Sequence, residues 1–224
     1  MQNKQNRKLN LTMILLFYMA FWIVWYVVEI GLRPIILASL GEWELEVCKT
    51  TIKLLVWTLP AAFCVWHYKN DVLLSWHDML TTKVKWLKYS LVLLGFTAYT
   101  VIGSFIMNGK LAVSSDFRIA PLVSTVLFVG ITEEVVFRGF FLNALVEKMK
   151  PWYAVLLTAL LFLLIHFPRW IYEGILLSTF LSGGFLAIVV LSIIFSRTFI
   201  KSRNILVPIM LHMSWNLLVT LFFG

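Results

Sequence analysis

Ionisable and amide side chains sit in this chain where a membrane would penalise them. The segment Gly130-Ile-Thr-Glu-Glu-Val-Val-Phe-Arg-Gly139 sets Glu133, Glu134 and Arg138 inside an apolar run. His166 and His212 lie in two further apolar segments, the second followed four residues later by Asn216. A charged group at bilayer depth costs at least about 2.5–3.5 kcal/mol on insertion scales, so such a cluster points to function. Glu134 and Arg138 share a helical face and can pair, whereas Glu133 points about 100° away and is predicted to be left free for another role. His166 and His212 are read as the remaining ionisable residues at membrane depth. His67 and His77, beside Tyr68, Lys69 and Asp78, are expected to be solvated at an interface.

Two chemistries fit these residues. A carboxylate beside an imidazole in a poorly hydrated cavity can deprotonate water for attack on a peptide carbonyl. Glu133 with His166 would then activate water, and His212 with Asn216 would donate to the oxyanion. Alternatively, Glu133, His166 and His212 supply the two-imidazole, one-carboxylate set of a catalytic zinc site. No HExxH helix, no GxSxG turn and no aspartate within a span is found, since Asp71, Asp78 and Asp116 all fall in connections.

The elements that must position these groups are transmembrane helices. In 224 residues, 61% are hydrophobic and 13% charged, and the mean hydropathy is +0.89. Such a chain has too little polar surface for a soluble globule. Seven spans are predicted, over residues 11–30, 50–68, 87–107, 119–146, 152–167, 175–199 and 205–223, forming an all-α bundle with a cavity among its core helices. Residues 41–47 and 71–80 are expected at the interface, with Trp43 and Trp76 at headgroup level. Joining Glu133 to His166 requires that the fifth span be longer than drawn or that Pro168 mark a re-entrant segment.

The net charge of +8 does not form the continuous basic face of a nucleic-acid binder, so no nucleic-acid partner is expected. The basic residues read as topology signals. Twelve lysines and arginines, including Lys4, Arg7 and Lys8, fall on the side of the N-terminus, against six on the other, among them Lys49 and Lys53. This bias predicts a cytoplasmic N-terminus and a retained first helix. Cys48 and Cys64 are too far apart along one helix to pair.

Three motifs resemble those of the CAAX protease and bacteriocin-processing family, also called the Abi or type II CAAX prenyl endopeptidase family. Glu133-Glu134-Val-Val-Phe-Arg138 matches EExxxR, Phe162-Leu-Leu-Ile-His166 matches FxxxH, and His212-Met-Ser-Trp-Asn216 matches HxxxN. The resemblance covers about residues 119–223, and the chain is divided into N-terminal helices and interfacial segments, 1–118, and a motif-bearing core, 119–224, within one membrane domain. It implies Glu133, His166, His212 and Asn216 as catalytic, with Glu134, Arg138 and Phe162 supporting them. It also implies an intramembrane endopeptidase acting on peptides or lipidated protein tails, in contact with membrane lipid. A short chain of this kind suggests a bacterial plasma membrane and a role in peptide maturation or bacteriocin immunity. No cofactor is needed by the glutamate mechanism, while zinc remains open. The competing expectations are a non-enzymatic membrane regulator that acts by binding and a proton-coupled transporter, which would also use buried Glu and His.

Overall fold

The computed structural model describes residues 9–115 and 117–223; Lys4, Arg7, Lys8 and Asp116 lie outside them. Nine helical elements and no strand occur among the described residues. In chain order these are α1 (Leu11–Ser39), α2 (Glu42–His67), α3 (Trp76–Thr81), α4 (Leu87–Asn108), α5 (residues 120–145), α6 (Pro151–Tyr172), α7 (Leu176–Leu181), α8 (Gly184–Ser202) and α9 (Leu206–Phe223). Six of them, α1, α2, α4, α6, α8 and α9, are long and apolar enough to cross a membrane. The expected seventh, α5, is helical throughout. Its backbone leaves α geometry for wider π turns at Leu122–Phe128 and Val135–Leu142, on either side of the α turn Val129–Glu134. π turns inside α-helices cluster at functional sites.

Three boundaries differ from the sequence expectation, each for a local reason. The alternation in Glu42-Trp-Glu-Leu-Glu-Val47 suggests an interfacial segment, yet these residues are the first turns of α2. The backbone N–H of Gly41 donates to Glu44 Oε2 at 2.8 Å, and two carboxylates in the first turn suit the positive end of the helix. Trp43 is exposed, but Trp76 packs inward and donates its indole N–H to the Ala62 carbonyl at 3.1 Å. The expected span 175–199 is split, because Gly183 takes φ +76° and turns the chain between α7 and α8.

The third difference is the one that positions the site. Pro168 has no N–H to give the Leu164 carbonyl, and its ring crowds that turn, so regular hydrogen bonding in α6 lapses at Ile165 and His166. The His166 N–H turns to the Leu163 carbonyl at 3.1 Å. The carbonyl of Phe162 is thereby released and meets His166 Nδ1 at 2.7 Å. The free Leu164 carbonyl accepts from the Trp22 indole at 2.9 Å, and Tyr18 donates to Leu161 at 2.7 Å, tying α1 to the break. The helix then resumes to Tyr172, so the span is longer than expected and His166 lies within it.

Every residue of α5 from Thr132 to Leu145 is buried, so this half of the helix is enclosed on all sides. Aromatic rings fill the layer around it: Phe137 meets Phe162 edge-on at 4.9 Å, and Trp57 meets Trp25 at 4.8 Å and Phe21 at 5.0 Å. At the end of α5, Asn143 accepts from the Leu74 N–H and donates to the Leu74 and Gly139 carbonyls, fastening the connection before α3.

At Gly130, α5 approaches α9 closely. A β-carbon placed there would lie 2.6 Å from Met213 Cγ and 3.3 Å from the Met213 backbone nitrogen. Small residues allow such approaches between membrane helices. Gly130→Val is therefore expected to lower stability by about 1–3 kcal/mol through overpacking. Thermal unfolding in detergent measures this, and a midpoint equal to wild type would contradict the close contact.

Candidate active site

Six helices line one cavity of about 240 Å³, and four of them bring Lys53 (α2), Glu133 (α5), Phe162 and His166 (α6), and His212 and Asn216 (α9). The four residues expected to be catalytic are thus gathered in one space. Phe162 forms its wall, lying edge-on to His166 at 5.1 Å and to His212 at 6.3 Å. Phe195 of α8 stacks on His212 at 4.9 Å.

Beneath the cavity runs a buried polar chain. Arg138 Nη1 donates to Glu134 Oε1 at 2.9 Å, and both side chains are fully buried. Its Nη2 donates to the Ser192 hydroxyl at 2.7 Å and the Ser192 carbonyl at 3.0 Å, so α8 is joined to α5. The rings of Phe162 and Phe195 flank the guanidinium at 4.8 and 5.5 Å. His212 Nδ1 meets the same Glu134 oxygen at 2.8 Å. Glu134 is therefore the hub linking Arg138 to His212, and the expected Glu134–Arg138 pair is present.

Hydrogen-bond partners assign the imidazole protons. A carbonyl only accepts, so His166 Nδ1, facing Phe162, carries the proton and Nε2 presents a lone pair. A carboxylate likewise fixes the proton on His212 Nδ1; its Nε2 accepts in the neutral ring and donates once that ring is doubly protonated. This Nε2 lies 3.9 Å from Glu133 Oε2. Asn216 gives one amide N–H to the Thr125 carbonyl at 2.9 Å, which fixes its plane and keeps a second N–H.

The structure corrects two sequence expectations. Glu133 is not left unpaired: Lys53 Nζ donates to its Oε1 at 2.8 Å. Nor are His166 and His212 the remaining ionisable residues at depth. Glu29 and Glu46 are buried as well, the first paired with Arg33 at 2.9 Å and the second with Lys49 and the Ser124 hydroxyl. By sequence Lys53 counts among the outer basic residues. The signal that could have found it is its place in a helix, one turn before Trp57, over whose ring its ammonium lies at 4.6 Å.

The zinc reading requires Glu133, His166 and His212 to present donors to one point. Among the described residues no three His, Cys, Asp or Glu side chains are grouped to hold a metal ion. Lys53 occupies Glu133 Oε1 and leaves Oε2 facing His212 Nε2. Cys48 and Cys64 are free thiols.

Fold and site define a class: polytopic helical membrane proteins that enclose an acid, imidazole and amide cluster in a cavity within the helix bundle. Within that class, residues 115–218 match the family model described as Type II CAAX prenyl endopeptidase Rce1-like. The match spans somewhat under half of the chain and marks its C-terminal part as similar to this family of proteases. No curated protein and no solved structure matches the chain.

Proposed function

We propose that this chain is a glutamate-dependent intramembrane endopeptidase that cleaves membrane-associated peptides or lipidated protein tails, serving peptide maturation or bacteriocin immunity. The observation that carries this reading is the meeting of Glu133, His166, His212 and Asn216 in one cavity enclosed by helices. The 3.9 Å gap between Glu133 Oε2 and His212 Nε2 is short enough for one water to contact both. Glu133 takes a proton from that water as its oxygen attacks the scissile carbonyl. His166 Nε2 accepts the second water proton as a hydrogen bond and orients the attacking lone pair. The oxyanion receives the free N–H of Asn216 and the Nε2–H of a doubly protonated His212, whose Nδ1–H stays on Glu134 Oε1. Glu133 then gives its proton to the leaving nitrogen as the C–N bond breaks and the oxyanion re-forms a carbonyl, yielding a carboxylic acid and an amine.

No step of this scheme uses a metal. Cleavage is expected to persist in a strong chelator at the wild-type rate, followed by mass spectrometry of the products; loss with chelator and recovery with zinc would favour the metal reading. Incubating prenylated CAAX-type and unmodified membrane peptides with wild-type and Glu133→Ala protein tests the enzyme itself. Products are expected with wild type alone. Unchanged biological function in the Glu133 variant would favour a regulator that acts by binding.

A further inference from the structure

The family domain begins at residue 115, yet one of the side chains touching Glu133 comes from α2. We infer that Lys53 is the positioning residue of Glu133, so that the N-terminal helices complete an active site that residues 115–218 leave unfinished; the inference rests on the proposed peptidase reading.

Charge balance around the cavity supports this. Among its described lining groups, Glu29 is neutralised by Arg33 at 2.9 Å and Arg169 by Glu173 at 2.9 Å. Deeper in the protein, Glu134 is matched by Arg138 at 2.9 Å. Glu133 is the carboxylate these pairs leave over; the His212 imidazole lies 3.9 Å from its Oε2, and a cation in direct hydrogen-bond contact lowers the cost of burying the charge. Lys53 supplies the cation at 2.8 Å, with side-chain exposures of 17% for the lysine and 8% for the glutamate, so little water intervenes.

Geometry makes the pairing directional. The ammonium binds Oε1, while Oε2 is the oxygen turned toward His212 Nε2. A carboxylate can rotate about its terminal bond, and anchoring one oxygen fixes where the other points. A lysine in a membrane helix ordinarily extends its flexible stem toward the interface. Here the rings of Trp57 and Trp25, 4.6 and 5.8 Å from Nζ, hold the ammonium in the cavity. Lys53 acts through Glu133, the carboxylate to which its ammonium is bonded.

The test is a kinetic cycle in proteoliposomes with a quenched prenylated CAAX-type peptide, comparing wild type, Lys53→Met, Lys53→Arg, Glu133→Gln and Lys53→Met/Glu133→Gln. Lys53→Met is expected to lower kcat by about 10²-fold through misplacement of the base, with KM changed by less than about threefold. Lys53→Arg should recover most of the rate, because a guanidinium can still donate to Oε1. The double variant should be no slower than Glu133→Gln alone. Thermal unfolding of the same set should show the two substitutions to be non-additive. Wild-type kcat in Lys53→Met, failure of arginine to restore any rate, or additive effects on unfolding would each overturn the inference. Full activity in Glu133→Gln would instead overturn the peptidase reading, and the unfolding cycle would still decide whether Lys53 holds Glu133.

Discussion

Glu133→Gln is expected to lower peptide cleavage by about 10²–10⁴-fold, the range general acid–base catalysis supplies, and to leave the protein folded. Glutamine has nearly the shape of glutamate, and its amide oxygen can still accept from Lys53, which now lies 2.8 Å from Oε1. It cannot take a proton from water at neutral pH, so attack loses its base. The cavity keeps His166, His212 and Asn216, and substrate affinity should change little. A lysine left without its counter-ion costs some stability, so the variant should be followed by gel filtration and thermal unfolding beside the cleavage assay. A variant that is monodisperse, folded and as fast as wild type would show that Glu133 is not the base.

Arg138→Met is expected to have a larger effect on folding than any other single change considered. Arg138 is fully buried, and its guanidinium binds Glu134, the Ser192 carbonyl and the Ser192 hydroxyl. Methionine retains most of the stem between Phe162 and Phe195 but leaves Glu134 as a buried anion with only His212 beside it. Removing one partner of a buried pair costs about 3–5 kcal/mol, a large part of the stability of a typical domain. The yield of folded protein from detergent extracts should fall sharply. Glu134→Gln/Arg138→Met removes both charges and should regain part of that loss, because the penalty lies in the orphaned charge more than in the missing bond. Arg138→Lys should not restore wild-type stability, since an ammonium cannot span Glu134 and Ser192 as the planar fork does. If Arg138→Met unfolds at the wild-type temperature, the buried chain from Ser192 to His212 does not hold the helices together.

The two predictions separate the roles of neighbouring glutamates in one helix. Glu133 faces the cavity and is expected to serve chemistry, whereas Glu134 faces the protein interior and ties α5 to α8 and α9. The α turn Val129–Glu134 carries both side chains at its end, just before the π turns begin. Gly130, one turn earlier, brings α9 near enough for His212 to reach both carboxylates, at 2.8 and 3.9 Å.

What the sequence determined by itself was the solvent, the helical architecture and the identity of the cluster. Hydropathy and run length place the helices, because a bilayer leaves backbone N–H and C=O groups no partner but each other. The four-residue spacing of Glu134 and Arg138 implied their pair, because that spacing is local to one helix. Lys53 shows where such reasoning stops. It lies 80 residues from Glu133, and nothing in the composition of α2 says which neighbour its ammonium will meet. The same holds for Ser192 beneath Arg138 and for Trp22 on the carbonyl freed by Pro168. Helix formation and burial follow from short-range pattern, but the partner of each buried charge is chosen by how the helices pack, and only the tertiary structure decides that.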